Sequence, residues 1–125
     1  MKCNRLLSAI TLAVGLLVNT FAMGGDEEVN ELISEHWAWT LKQSPVFAGQ
    51  LGDRTGDGKL AKVSLKQHSL NHRSLKLFLK KARLIDAKSL SKDTKQNLDI
   101  FIRFLGDEIA EYEFQSHLIP ITNRW

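Results

Sequence analysis

Cysteine is nearly absent from this chain: its one copy, Cys3, precedes the first apolar run, so nothing downstream can form a disulfide framework or supply a thiolate. Proline is equally scarce, with two residues, Pro45 and Pro120, so long helices can run uninterrupted between them. No internal repeat or low-complexity tract occurs. The longest apolar run, LLSAITLAVGLLV, covers about 13 residues, too few for a spanning helix, which needs about 20. The polar DEEVNE that follows carries no basic stop-transfer cluster.

What is present at the N-terminus has the order of an export signal. MKCNR is a basic n-region, the apolar run follows, and Thr20-Phe21-Ala22 offers small residues for cleavage. Residues 1–22 therefore read as a signal peptide, with an uncleaved anchor as the alternative, and the remaining chain as exported, periplasmic or secreted, with no stable membrane anchor expected. A lipid-modified cysteine would follow the apolar run, whereas Cys3 precedes it. Removing Lys2 and Arg5 reduces 17 basic residues to 15, against 14 acidic ones, so the net charge falls from +3 to +1. The sequence pI near 9.1 is thus no argument for a nucleic-acid partner.

Residues 26–125 read as all-α, with three helices. Asp26 is placed to cap the first, EEVNELISEHWAWTLKQS, with Glu27, Glu28 and Glu31 at the positive end of its dipole and Pro45 ending it. Val29, Ile33, Trp37 and Leu41, with Leu32, predict its apolar stripe, and Glu27, Glu31 and Glu35 its wet side. Ser64 caps a second helix reaching about Ile85, whose apolar face is Leu65, Leu75, Phe78, Leu79, Ala82 and Ile85. Lys66, Arg73, Lys76, Lys80 and Arg83 form a basic stripe opposite. Ser91 caps a third helix, with Leu98, Phe101, Ile102, Leu105, Ile109 and Tyr112 at i, i+3, i+4, i+7 spacing, ending near Phe114. Pro120 places HLIPITNRW in an extended or irregular tail.

Two stretches carry the outline of chemistry. LGDRTGDGKL resembles a calcium loop: counted from Asp53, Asp57 and Gly58 fall at positions 5 and 6, but Thr55 stands at position 3 and Ser64 where a bidentate Glu belongs. Its approach, PVFAGQLG, contains Pro45, Gly49 and Gly52, which argue against a helix. The expectation is a connector with positive-φ glycines and turn-capping aspartates. HSLNH puts His68 and His72 at i and i+4, the spacing of a zinc-binding helix, but Ser69 replaces the glutamate of H-E-x-x-H, and His36 and His117 lie far away in sequence. The expectation is a partly buried, hydrogen-bonded pair. Trp37 and Trp39 are expected at the core and its rim. No catalytic, cofactor-binding or metal-binding residue is assigned to the chain, and no Ser/His/Asp or Cys/His set can be assembled.

The helices are apolar on more sides than three helices can bury. Leu70, Leu77 and Leu84 recur every seven residues on a second face of the second helix, and Ile100 and Phe104 form another on the third. Each such side chain gains roughly 1.5–3 kcal/mol on burial, so five left wet forgo on the order of 10 kcal/mol, comparable with the stability of a small domain. These faces are expected to meet the remainder of a longer chain or a protein partner.

The order EHWAWTLKQSPVFAGQLGD, DGKL, RLIDAKSLS and DEIAEYEFQSHLIPIT resembles the N-terminal part of the bacterial family called domain of unknown function 885 (DUF885). The most specific pieces are W-x-W-x-L-x-x-S-P-x-x-A-x-x-L-G-D and EYEFQSHLIPI, and the resemblance covers residues 31–123. It implies that the chain is the N-terminal segment of a larger helical, metallopeptidase-like fold whose complete form is an exported zinc-dependent peptidase. It also implies that the zinc site lies downstream, so that this portion is non-catalytic and holds no cofactor itself. The alternative is a small self-contained exported helical protein that binds a partner through its leucine face or basic helix.

Overall fold

The computed structural model describes residues 24–119. The expected signal peptide, residues 1–22, and the end of the expected irregular tail lie outside them. The described residues are all-α, without strands, and hold four α-helices: α1 (Gly25–Gln43), α2 (Pro45–Gln50), α3 (Leu65–Leu84) and α4 (Lys92–Glu113). Single 3-10 turns follow α2, at Arg54–Gly56, and α4, at Ser116–Leu118. Among the described residues no helix is long and apolar enough to cross a membrane.

Two serines start the long helices as their sequence positions suggest. Ser64 Oγ accepts from the Gln67 N–H at 3.2 Å, and Ser91 Oγ accepts from the Thr94 N–H at 3.3 Å. Each satisfies one of the otherwise unpaired N–H groups of a first helical turn. Asp26 behaves differently. It lies inside the first turn of α1, behind Gly24, and its carboxylate accepts from the Ser91 N–H at 2.9 Å. It therefore ties the start of α1 to the start of α4 rather than capping its own helix. That hydrogen bond holds the Asp26 carboxyl below the usual carboxylate range.

The apolar stripes of α3 and α4 meet as the spacing predicts. Leu75, Phe78 and Ala82 join Leu98, Phe101, Leu105 and Ile109, and α1 adds Val29 and Leu32 to the same core. Ile33, Trp39, Leu79, Ile85, Leu90 and Ile102 pack around it. The stripe of α1 is rotated from the expected one, running through Val29, Leu32 and His36, while Trp37 is 48% exposed and packs its ring on Phe47 at 6.0 Å. Leu65, expected in the core, is the first residue of α3 and is 64% exposed. Glu35, on the wet side of α1, pairs with Lys81 of α3 at 2.9 Å.

The connector between α1 and α3 is more ordered than expected. Ser44, at φ −125° and ψ 71°, breaks the chain out of α1, and Pro45 then opens α2 at a position where no N–H is needed. Ala48 is buried, and its carbonyl accepts from the Asp53 N–H at 3.0 Å, which closes the end of the short helix. The glycines and proline that argued against a helix are accommodated because α2 is only six residues long. Truncating Leu105, which is fully buried, to Ala should lower unfolding stability by about 2–5 kcal/mol, whereas Leu77→Ala on the exposed side of α3 should change it by less than about 0.5 kcal/mol. Urea unfolding of both variants checks the contrast.

Candidate functional site

An open pocket of about 380 Å³ lies where the end of α1, the first half of α3 and the end of α4 converge. Trp39, Thr40 and Gln43 form one side, and His68, Asn71 and His72 another. Glu108, Glu111, Tyr112 and His117 close it. Gln67 reaches across its upper edge, donating from Nε2 to Gln43 Oε1 at 3.2 Å and to Asn71 Oδ1 at 2.8 Å.

The histidines of HSLNH are joined here by rings from the far end of the chain. Gln115 adopts a left-handed conformation, φ 59°, which folds the turn Ser116–Leu118 back and sets His117 between His68 and Tyr112. His68 and His117 stack with centroids 5.0 Å apart, His117 and Tyr112 at 4.7 Å, and Tyr112 and His72 at 4.3 Å, with interplanar angles of 26°, 3° and 21°. Four rings thus form a continuous column. His72 Nε2 lies 3.3 Å from Glu113 Oε1, which also receives Lys76 Nζ at 3.0 Å. Sequence separation hid this arrangement: only the left-handed turn at Gln115 brings His117 to α3.

The electrostatics divide the glutamates. Lys76, by hydrogen bonding and by charge, and then His72 hold Glu113 below the usual carboxylate range. Glu108 is pushed above it, first by burial and second by the neighbouring charge of Glu111. The pocket's hydroxyls are not activated. Thr40 Oγ1 donates to the His36 carbonyl at 3.0 Å, and among the described residues no imidazole nitrogen is hydrogen-bonded to a hydroxyl. Face-to-face stacking also prevents the ring nitrogens from converging, and no group of three or more His, Cys, Asp or Glu among the described residues could hold a metal ion. The arrangement offers a ligand aromatic ring faces beside carboxylates.

The aspartates of GDRTGDGKL are engaged in their own turn. Asp53 Oδ1 accepts from the Thr55 N–H at 3.0 Å and from Thr55 Oγ1 at 2.7 Å, and Arg54 Nε donates to Asp57 Oδ2 at 2.8 Å. Gly52 and Gly58 take φ of 90° and 76°, the turn geometry expected of that stretch.

His36 is the second polar group that the fold surrounds. It is 93% buried, with its ring 5.1–5.9 Å from Trp39, Phe78, Phe101 and Phe104, and its Nε2 has no hydrogen-bond partner. Burial lowers its pKa from 6.5. The sequence showed an apolar stripe of period four passing beside His36 and gave no sign that it belonged to the core. No family model, curated protein or solved structure matches the chain.

Because His36 is neutral in the fold and takes a proton more readily when unfolded, its contribution to stability is present above about pH 6.5. That contribution is lost as pH falls below 6.5 toward the depressed folded value, at no more than about 1.4 kcal/mol per pH unit for one proton. Comparing urea midpoints at pH 7.5 and 5.5 for the wild type and His36→Leu should show a smaller acid loss in the variant.

Proposed function

We propose that this chain is a non-catalytic helical module that acts by packing against further protein, as the N-terminal part of an exported DUF885-like protein. By that resemblance, the complete protein is a zinc-dependent peptidase whose metal and catalytic residues lie in the remaining chain. The observation that carries the reading is the exposure of large apolar side chains on two of the three long helices. Leu70, Leu77 and Leu84 lie outside the core on α3, as Ile100 and Phe104 do on α4. A soluble domain that worked alone would gain several kcal/mol by burying or replacing them.

The alternative, a self-contained exported protein binding a partner through the same surfaces, draws support from the aromatic-walled pocket, which is formed wholly within this chain. The purified chain should cleave no peptide and should enhance the fluorescence of a hydrophobic dye while retaining its helical circular dichroism. A monomer that unfolds cooperatively and binds no dye would end the packing reading. The source DNA separates the two forms of the proposal: a frame that runs past the codon for Trp125 into H-E-x-x-H supports the peptidase parent, and an immediate stop without such a sequence supports the self-contained protein.

A further inference from the structure

α3 contains six basic residues and no acidic one. Lys66, Leu70, Arg73, Leu77, Lys80 and Leu84 follow one another at alternating steps of four and three, the spacing of a helix–helix seam, and all six are exposed. α4 carries a second seam at the same spacing: Asp93, Asn97, Ile100, Phe104, Asp107 and Glu111, again all exposed. The two rows have opposite charge. They also have equal length, each extending about 27 Å at 1.5 Å per residue. Among the described residues, none of Lys66, Arg73, Lys80, Asp93, Asp107 or Glu111 takes part in an ion pair, whereas Lys76 and Lys81, pointing elsewhere on α3, are paired with Glu113 and Glu35.

We infer that the occupant of these surfaces is a second copy of this chain, with the basic leucine seam of α3 in one copy laid along the acidic apolar seam of α4 in the other. The inference rests on the reading that the exposed faces are covered by further protein, and it names that protein. Run antiparallel, the seams bring Lys66 opposite Glu111 and Leu77 opposite Ile100, with Arg73 over the ring of Phe104, a cation–π arrangement. Charge selects this pairing. Two α3 seams would gather three basic residues from each copy along one line with no acid among them, and two α4 seams three acidic residues from each copy with no base. Each copy carries both seams, so two copies can pair reciprocally and close, as a self-complementary two-fold dimer does. A bilayer surface would require a broad apolar face, whereas here the leucines alternate with charges along a narrow line.

The test uses sedimentation velocity on the whole chain and two charge-reversed variants, each checked for helical circular dichroism. In K66E/R73E/K80E both seams are acidic, and in D93K/D107K/E111K both are basic. Wild type should self-associate, with an affinity that weakens about tenfold or more between 0.05 and 0.5 M NaCl. Each variant alone should be monomeric, and an equimolar mixture should restore the complex. A wild-type monomer at about 0.1 mM, or a mixture that stays monomeric, overturns the inference; so does association that is equally strong in both variants. A wild-type monomer that still binds a hydrophobic dye ends the self-pairing alone, whereas a monomer that binds none ends the packing reading as well.

Discussion

The apolar contact between α3 and α4 is the constraint from which the other features follow. Leu75, Phe78 and Ala82 on one helix and Leu98, Phe101, Leu105 and Ile109 on the other commit a single face of each to the core. An α-helix has room for little more than one such face toward one neighbour. α1 then lies in the groove beside the pair and completes the core with Val29 and Leu32. Nothing else in the described chain is long enough to cover the remaining faces, since α2 has six residues and lies against α1 and the 3-10 turn that follows it.

That groove explains the position of His36. Its slot on α1 lies between Leu32 and Trp39, directly over Phe78 and Phe101, so the side chain there is enclosed whatever its polarity. An imidazole can occupy it as a flat, mostly apolar ring, and edge-on contacts with aromatic neighbours return part of what desolvation removes. The unpartnered Nε2 is still a cost, of about 1–3 kcal/mol for a buried polar group. The neutral form is the one this site stabilises. The ring column at the other end of the bundle has a different character. His68, His72 and His117 are half-buried and hold the returning turn by stacking, with His72 Nε2 facing the Glu113 carboxylate and His117 Nδ1 buried without a hydrogen-bond partner.

Features that depend on neighbours in sequence were legible in it. The Ser64 and Ser91 caps need only the N–H three residues on, and the stripes of α3 and α4 need only a period of 3.6, so both were readable from residue order. Features that depend on distant partners were not. Asp26 has the composition of a local cap, but its partner, Ser91, becomes available only after α4 has docked. His36 and Ile33 are both compatible with a stripe on α1, and only the placement of Phe78 and Phe101 selects His36 for the interior. The assembly of His68, His72 and His117 depends on one residue, Gln115, taking a left-handed conformation that its side chain does not favour. The short helix α2 was hidden for the opposite reason: Pro45 signals a break or a start, and its place at the first helical position makes it a start.

The outward seams of α3 and α4 show how charge can limit the use of exposed apolar surface. A row of leucines alone would adhere to any greasy face, including its own copy. Placing Lys66, Arg73 and Lys80 between Leu70, Leu77 and Leu84 weakens every such contact, because a buried unpaired ammonium or guanidinium is costly. The penalty is relieved only where the opposing surface supplies carboxylates within reach. On α4, Asp93, Asp107 and Glu111 supply them on either side of Ile100 and Phe104. Charges within the seam thus reduce gross affinity and increase selectivity, the same exchange that polar seam residues make in coiled coils.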